Sequence, residues 1–205
     1  MNRIAPVTAP YSDALAQRFA RLMPPTMTPP VLFRAVARNE GLFTHMADIG
    51  LIGPTGLLDR RVLAPALREA LILRTCFAWG NAYEWQLHVG TISARMGLSD
   101  AQIADTWQPQ TDAALWPAQT LALFDLVEAL VGRQPIAEAR FAGWREQADE
   151  ALLIEATQLV GLYSGVAMLV ALIQPVPDDY AAALPPRPAD RPSGRTTDRT
   201  PAKKV

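Results

Sequence analysis

Residues 65 to 97 restrict the fold most, because they form two successive helical segments that are apolar on most faces. A helix that is hydrophobic all round is buried on most sides, so the rest of the chain has to pack around this segment. Its few polar residues include Asn81, Glu84 and His88. Separations of three and four residues place these side chains on one stripe of an α-helix. The stripe therefore either faces water or lines a pocket.

The remaining sequence is also helical in pattern. Ser12 is placed to cap a first amphipathic helix, and two short helices divided near residues 39–41 follow it. The first of the two apolar helices can end at Gly80, and Asn81 can cap a second helix that runs to Gly97. Sustained β alternation is absent and β-branched residues are not clustered. The sequence predicts an all-α fold.

Residues 149–174 predict a long final helix that contains the uncharged run 159–173. A membrane-spanning helix needs about 20 apolar residues, and Glu155, followed by two further polar residues, interrupts the run before that length. We therefore expect a buried core helix or a subunit-interface helix. Gly161 and Gly165 form a small-xxx-small pair that would let another helix approach closely.

Composition excludes several classes of function. The net charge is −1, so no basic field attracts nucleic acid or an anionic membrane. A single cysteine, Cys76, permits neither an intrachain disulfide nor a cysteine-rich zinc site. The N-terminal residues lack the apolar core of a signal peptide. These features predict a cytoplasmic protein without nucleic-acid or membrane partners.

The character of the chain changes at Pro175, since residues 175–205 contain seven prolines in 31 residues and little that can be buried. Such a segment cannot repay the entropy of ordering. Its early part could strap onto the domain surface. The sequence therefore predicts a helical domain over residues 1–177 and a Pro/Arg-rich tail over residues 178–205. We expect the later part of this tail to be disordered.

Buried carboxylates are costly unless they are paired, and the first apolar helix carries Glu69 while the second carries Glu84. Residue types alone favour a structural interpretation. In it, Glu69 forms an ion pair with Arg68 or Arg74, and Glu84 makes an i,i+4 contact with His88.

The motif "REALILRTCFAWGNAYEWQLH" resembles the carboxymuconolactone decarboxylase and alkylhydroperoxidase-D (AhpD) family. In that family a glutamate precedes a Cys-x-x-Cys pair, and a histidine follows four residues after the second cysteine. This chain keeps the glutamate as Glu69 and the histidine as His88, but it has Asn81 and Glu84 in place of the cysteines. The resemblance extends over about residues 11–177. It implies an AhpD-like bundle of roughly eight or nine helices.

Loss of both motif cysteines excludes the dithiol cycle of the redox-active branch, in which one thiol attacks and the other resolves the intermediate. The remaining thiol, Cys76, lies seven residues after Glu69 and therefore shares its helical face. We expect it to be a small buried side chain. The resemblance is closer to a cysteine-less, decarboxylase-side branch with the sequence Tyr-Glu-Trp followed by histidine.

The resemblance to this branch implies a cofactor-independent lyase or isomerase that removes CO₂ from a small carboxylated lactone or related organic acid. Such a reaction needs an acid, a base and a means of stabilising an enolate. His88 can carry a proton near neutral pH, Glu84 can exchange one, and Glu69 can orient His88 or act as a second carboxylate. These three are the predicted catalytic residues.

Four further residues are predicted to bind the substrate. Arg68 or Arg74 could hold a substrate carboxylate, because a guanidinium group matches a carboxylate in a bidentate fashion. Asn81 or Tyr83 could donate a hydrogen bond to the enolate. No cofactor and no metal are predicted.

Two alternatives remain open at this point. Glu69, Glu84 and His88 could instead form a two-carboxylate, one-histidine metal site. The chain could also be a non-catalytic ligand-binding or assembly protein that has kept the fold. The resemblance further implies a homo-oligomer, either a trimer or a hexamer, and the apolar helices offer more surface than one small bundle buries.

Overall fold

The computed structural model describes residues 2–52 and 63–186. Within these residues the chain forms nine α-helices, two short 3-10 turns and no strand, which confirms the predicted all-α fold. The helices are α1 (Asp13–Leu22), α2 (Val31–Val36), α3 (Glu40–Asp48), α4 (Pro65–Trp79), α5 (Ala82–Thr91), α6 (Asp100–Asp105), α7 (Ala118–Val131), α8 (Glu138–Gln147) and α9 (Glu150–Ile173).

The predicted helix boundaries have identifiable chemical causes. The side chains of Ser12 and Asn39 accept hydrogen bonds from backbone N–H groups in the first turns of α1 and α3. Gly80 adopts φ +65°, the left-handed conformation that suits glycine, and ends α4. Asn81 then caps α5 by accepting a hydrogen bond from the backbone N–H of Glu84. The turn between α4 and α5 therefore fixes the position of the motif helix.

The prediction that the second apolar helix continues to Gly97 is wrong. Helix α5 ends at Thr91, Ile92 leaves the helical conformation, and a 3-10 turn spans Ser93–Met96. The change of direction allows the Ser93 side chain to turn inward, where it is completely buried. If α5 continued as an α-helix, the helical repeat would set the direction of the Ser93 side chain instead.

Helix α4 is the centre of the bundle. It packs against α9 and α7 on its two sides and against α5 along the chain. Its side chains from Glu69 to Cys76 are all buried, as expected for a helix surrounded by others. Two polar groups, Glu69 and Arg74, are among its most deeply buried side chains, so each must have a partner.

Helix α9 has 24 residues and is long and apolar enough to cross a membrane by length and composition alone. One face of it packs against α4 and α7. The opposite face exposes large apolar side chains, among them Ile154, Met168 and Leu172. A Cβ atom added to Gly161 or Gly165 would meet nothing within 4 Å in the described chain.

Residues 175–186 run across the surface beside α5. Asp178 accepts hydrogen bonds from the backbone of Val31 (2.9 Å) and from the hydroxyl of Tyr83 (2.5 Å). The backbone N–H of Ala182 donates to the carbonyl of Gln86 at 3.0 Å. We call residues 175–186 the strap. The remainder of the predicted tail, residues 187–205, lies outside the described residues.

Candidate active site

Helices α4 and α5 bring the three predicted catalytic residues together. The His88 ring lies between two carboxylates, with Nδ1 at 3.0 Å from Glu69 Oε1 and Nε2 at 3.4 Å from Glu84 Oε1. Glu69 is 1% exposed, and Glu84 and His88 are each 6% exposed. The stripe on α5 therefore faces the protein interior, where it meets a glutamate of the neighbouring helix.

The two carboxylates govern the charge of His88. Burial alone lowers the pKa of His88, but the nearby Glu69 carboxylate and its hydrogen bond, with a further contribution from Glu84, raise that pKa to about 10. Burial acts in the opposite direction on Glu69, yet the His88 charge and hydrogen bond bring the pKa of Glu69 below its ordinary value. At neutral pH the pair is therefore an imidazolium bound to a carboxylate.

Two hydroxyl groups that the sequence analysis does not identify complete this cluster. Ser93 donates a hydrogen bond to Glu69 Oε1 at 2.7 Å. The hydroxyl of Tyr163, on α9, lies 3.3 Å from His88 Nε2. Tyr163 is the single tyrosine of the uncharged run 159–173. A buried tyrosine usually needs a polar partner, so this position in the sequence could have indicated a polar contact inside the bundle. We call Glu69, Glu84, His88, Ser93 and Tyr163 the His88 cluster.

Asn81 lies one turn before the cluster on α5. Its Oδ1 atom accepts a hydrogen bond from the backbone N–H of Glu84 at 3.2 Å. The Nδ2 group of the same amide therefore remains as a donor. Within the described chain, Asn81 Nδ2 and Glu84 Oε2 are buried and have no hydrogen-bond partner. A buried donor and a buried acceptor without partners are costly, and one explanation is that they are satisfied by a ligand or by water.

Tyr83 does not point into the His88 cluster. Its hydroxyl donates to Asp178 of the strap and accepts from the backbone N–H of Leu32 at 3.1 Å. Burial and the Asp178 hydrogen bond raise the pKa of Tyr83 well above its ordinary value. The phenol therefore ties α5 to α2 and to the strap.

Arg74 is also directed away from the cluster. Its guanidinium forms an ion pair with Glu128 on α7, donates to the carbonyl of Gln108 at 2.6 Å and lies 4.5 Å from the centre of the Phe77 ring. These contacts occupy a side chain that is 1% exposed. Arg74 thus pairs with Glu128, and the ion pair between Arg74 and Glu69 that the structural interpretation expected does not form.

Arg68 lies nearer to the cluster. Its positive charge lowers the pKa of Glu69 and acts on Tyr163 in the same direction. One of its terminal nitrogens is 3.5 Å from the sulfur of Met96. Of the two arginines predicted to hold a substrate carboxylate, Arg68 is therefore the one whose charge reaches the site.

Cys76 is buried beneath the cluster. Burial and the charges of Glu84 and Glu69 raise the pKa of this thiol well above its ordinary value. The thiolate is the reactive form of cysteine, so the same carboxylates that hold His88 suppress the reactivity of Cys76.

The arrangement differs from a metal site. Glu69 and Glu84 lie against different nitrogens of the same ring, so their oxygens are separated by the imidazole. In the described part of the chain, no group of three His, Cys, Asp or Glu side chains is arranged to bind a metal ion. What the geometry does provide is a buried imidazole ring, a carboxylate on either side of it and unpartnered polar atoms beside it.

Neither a comparison with protein-family models nor a comparison with curated protein sequences yields a match. A comparison with solved structures finds a variant of the debrominase Bmp8 in complex with 2,3,4-tribromopyrrole. The two chains superpose with a TM-score of 0.65 at 13% identity, over 87% of this chain and 92% of that chain. Similarity of this kind concerns the fold. The protein has an AhpD-like all-helical fold.

Proposed function

We propose that this protein is a cofactor-independent acid–base enzyme, a lyase or isomerase that acts on a small carboxylated lactone or related organic acid. The observation that carries the proposal is the buried ring of His88, which has a carboxylate against each ring nitrogen. Perturbed ionisable groups of this kind concentrate at functional sites. The solved neighbour of the same fold is a debrominase in complex with a small heterocycle, which agrees with a small organic ligand.

His88 is the proton carrier in the proposed reaction. When the bond between the ring carbon and the substrate carboxylate breaks, CO₂ leaves and the electron pair remains as an enolate. The His88 Nε2–H group then protonates the substrate carbon, and a proton from solvent reprotonates Nε2 after CO₂ and product leave. Glu84 Oε1, 3.4 Å from the same nitrogen, stabilises the recharged ring. Glu69 holds Nδ1–H, so the ring keeps one orientation throughout.

The unpartnered Asn81 Nδ2 supplies the donor for the enolate oxygen in this scheme. Arg68 supplies the positive charge that a substrate carboxylate requires, since its charge acts on both Glu69 and Tyr163 of the cluster. Tyr83 supports the site indirectly, through its bond to the strap. The proposed ligand contacts are therefore Asn81 and Arg68.

The first experiment is to identify a ligand by native mass spectrometry of the purified protein against a panel of small organic acids and lactones. Turnover of a bound compound is then measured for His88→Ala, Glu69→Gln and Glu84→Gln. We expect His88→Ala to lower kcat by about 10²- to 10⁴-fold while the variant stays folded. The glutamine variants keep the side-chain shape and remove the titrating group, so we expect them to lose turnover as well.

His45→Ala is the matched control, because His45 is the other histidine of the chain and is exposed on α3. It should leave turnover unchanged. If His88→Ala and His45→Ala keep the same rate on a compound that the enzyme transforms, the acid–base role of the cluster is wrong. A lower melting temperature without a specific loss of rate would indicate a structural role only.

We also propose that the protein is a cytoplasmic homo-oligomer, a trimer or a hexamer. Ile154, Gly161, Gly165, Met168 and Leu172 recur at helical spacing along the exposed face of α9. An apolar stripe with small residues suits close packing against another helix. A second copy of the chain would cover it.

A further inference from the structure

Tyr163 approaches the His88 ring from α9, a helix that supplies none of the predicted site residues. Its hydroxyl oxygen lies 3.3 Å from Nε2, and the two rings meet edge to face with centroids 5.4 Å apart and an interplanar angle of 78°. Among the described hydrogen bonds, this is the one in which the Tyr163 hydroxyl takes part. The role of the Tyr163 hydroxyl group therefore has to be sought in its hydrogen bond with His88.

The direction of this hydrogen bond depends on the charge of His88. In the imidazolium both ring nitrogens carry hydrogen, so Nε2–H donates and the Tyr163 oxygen accepts, together with Glu84 Oε1 at 3.4 Å. The phenolic hydrogen then points away from His88 and is available to a ligand acceptor. In the neutral ring with hydrogen on Nδ1, Nε2 is an acceptor and only a donor can satisfy it. The carboxylate of Glu84 cannot serve as that donor, whereas the phenol can.

We propose that Tyr163 is a positioning residue for proton transfer by His88, accepting from the charged ring and donating to the neutral ring so that Nε2 keeps a partner in both states. The inference rests on the proposed role of His88 as the proton carrier. It adds α9 to a site that the sequence motif places on α4 and α5 alone.

The environment keeps Tyr163 in the protonated form that this role requires. Burial raises the pKa of the phenol well above its ordinary value, and the negative charges of Glu84 and Glu69 raise it further. The ionisable groups that face the pair are Glu69, Arg68 and Cys76 from α4, and Glu84 from α5. Of these, Arg68 acts in the opposite direction on the phenol.

The test is the pKa of His88 in Tyr163→Phe, measured by NMR of the imidazole nitrogens between about pH 7 and 12. The chain has two histidines, so the spectrum contains two ring systems, and His45→Gln assigns them. Glu84 still accepts from the imidazolium in the variant, but the neutral ring loses its donor. We therefore expect the pKa of His88 to rise by about 0.5 to 1 in Tyr163→Phe.

A second modification makes the opposite change. Incorporation of 3-fluorotyrosine at position 163 retains the hydroxyl group and makes the phenol a stronger donor and a weaker acceptor. Both effects favour the neutral ring, so the pKa of His88 should fall. This measurement also remains available if Tyr163→Phe does not fold, which circular dichroism would show.

Tyr180→Phe is the matched control. It removes the same atom from a strap residue whose hydroxyl donates to the carbonyl of Thr28, and it should leave the pKa of His88 unchanged. An unchanged His88 pKa in Tyr163→Phe or in the fluorinated protein, or equal shifts in Tyr180→Phe, would overturn the inference. Because the readout needs no substrate, these outcomes are separate from loss of the His88 dependence of turnover, which would overturn the proposed function.

Discussion

Replacing Glu69 with glutamine removes the charge that holds the His88 imidazolium, and the structure allows the cost to be calculated. At 3.0 Å between Nδ1 and Oε1, two unit charges in an effective dielectric constant of about 20 attract each other by about 5 kcal/mol. The net rise in the pKa of His88 from 6.5 to about 10, in which burial opposes the contributions of Glu69 and Glu84, corresponds to about 5 kcal/mol. Removing one member of a buried ion pair costs about 3 to 5 kcal/mol in general. We expect Glu69→Gln to lower the free energy of unfolding by about that amount at pH 6.

The cost should depend on pH in a defined direction. The pKa of His88 is higher in the folded protein than in the unfolded chain, so its contribution to stability is fully present below pH 6.5 and is lost as the pH rises through about 10. Glu69 behaves in the opposite sense. Its contribution to stability is present above pH 4.5 and is lost as the pH falls through its lowered pKa. At pH 10.5 we expect the cost of Glu69→Gln to shrink to about 1 kcal/mol, the value of an ordinary hydrogen bond.

A double-mutant cycle measured by urea unfolding isolates this interaction. It compares Glu69→Gln, His88→Gln and the double variant at pH 6 and at pH 10.5. The pair formed by Arg74 and Glu128 is the matched control, since it has one deeply buried partner and a guanidinium that remains charged at both pH values. Its coupling energy should not change with pH. A coupling energy between Glu69 and His88 below about 0.5 kcal/mol, or one equal at the two pH values, would refute the ion pair.

Three further predictions concern the strap, the thiol and the assembly. In Gly90→Ala the new methyl group would collide with the strap carbonyl of Tyr180 and lie 3.1 Å from the nitrogen of Ala182. Hydrogen exchange of the strap amides should therefore become faster. In the control Gly143→Ala the methyl group enters open space, and exchange in the strap should not change. Dithiol-dependent peroxide reduction should be absent from both the wild-type protein and Cys76→Ser, and donor-dependent turnover in either would contradict the argument. Light scattering should give a mass several times 22.3 kDa, and a monomer at micromolar concentration would count against the oligomer.

The fold could be predicted well from the sequence because its helix boundaries depend on local chemistry. Ser12, Asn39, Gly80 and Asn81 each act within one helical turn, and the structure places all four at helix ends. The failure at the end of α5 has a tertiary cause. Ser93 donates to Glu69 of another helix, and that partner lies 24 residues away along the chain. Sequence periodicity carries no information about such a partner.

The candidate site, like the fold, could be predicted only where local spacing determines the contacts. The spacing on α5 predicts that Glu84 and His88 share a stripe, while the contact between His88 and Glu69 could be expected only from the family resemblance. Arg74 and Tyr83 were predicted at the site because their side-chain chemistry is suitable. In the structure their partners, Glu128 and Asp178, lie 54 and 95 residues further along the chain and direct both side chains elsewhere.

Helix α5 also explains why a carboxylate can stand where the family resemblance would place a thiol. Glu84 lies in the first turn of α5 and His88 lies in its last turn. The partial charges of a helix favour a negative group near its N-terminus and a positive group near its C-terminus, each by about 0.3 to 1 kcal/mol and by more when partly buried. The ten-residue helix therefore supports a carboxylate and an imidazolium at opposite ends while its i,i+4 geometry keeps them in contact. With Asn81 and Glu84 at the positions where the resemblance would place cysteines, this helix holds separated charge, as the proposed proton transfer requires.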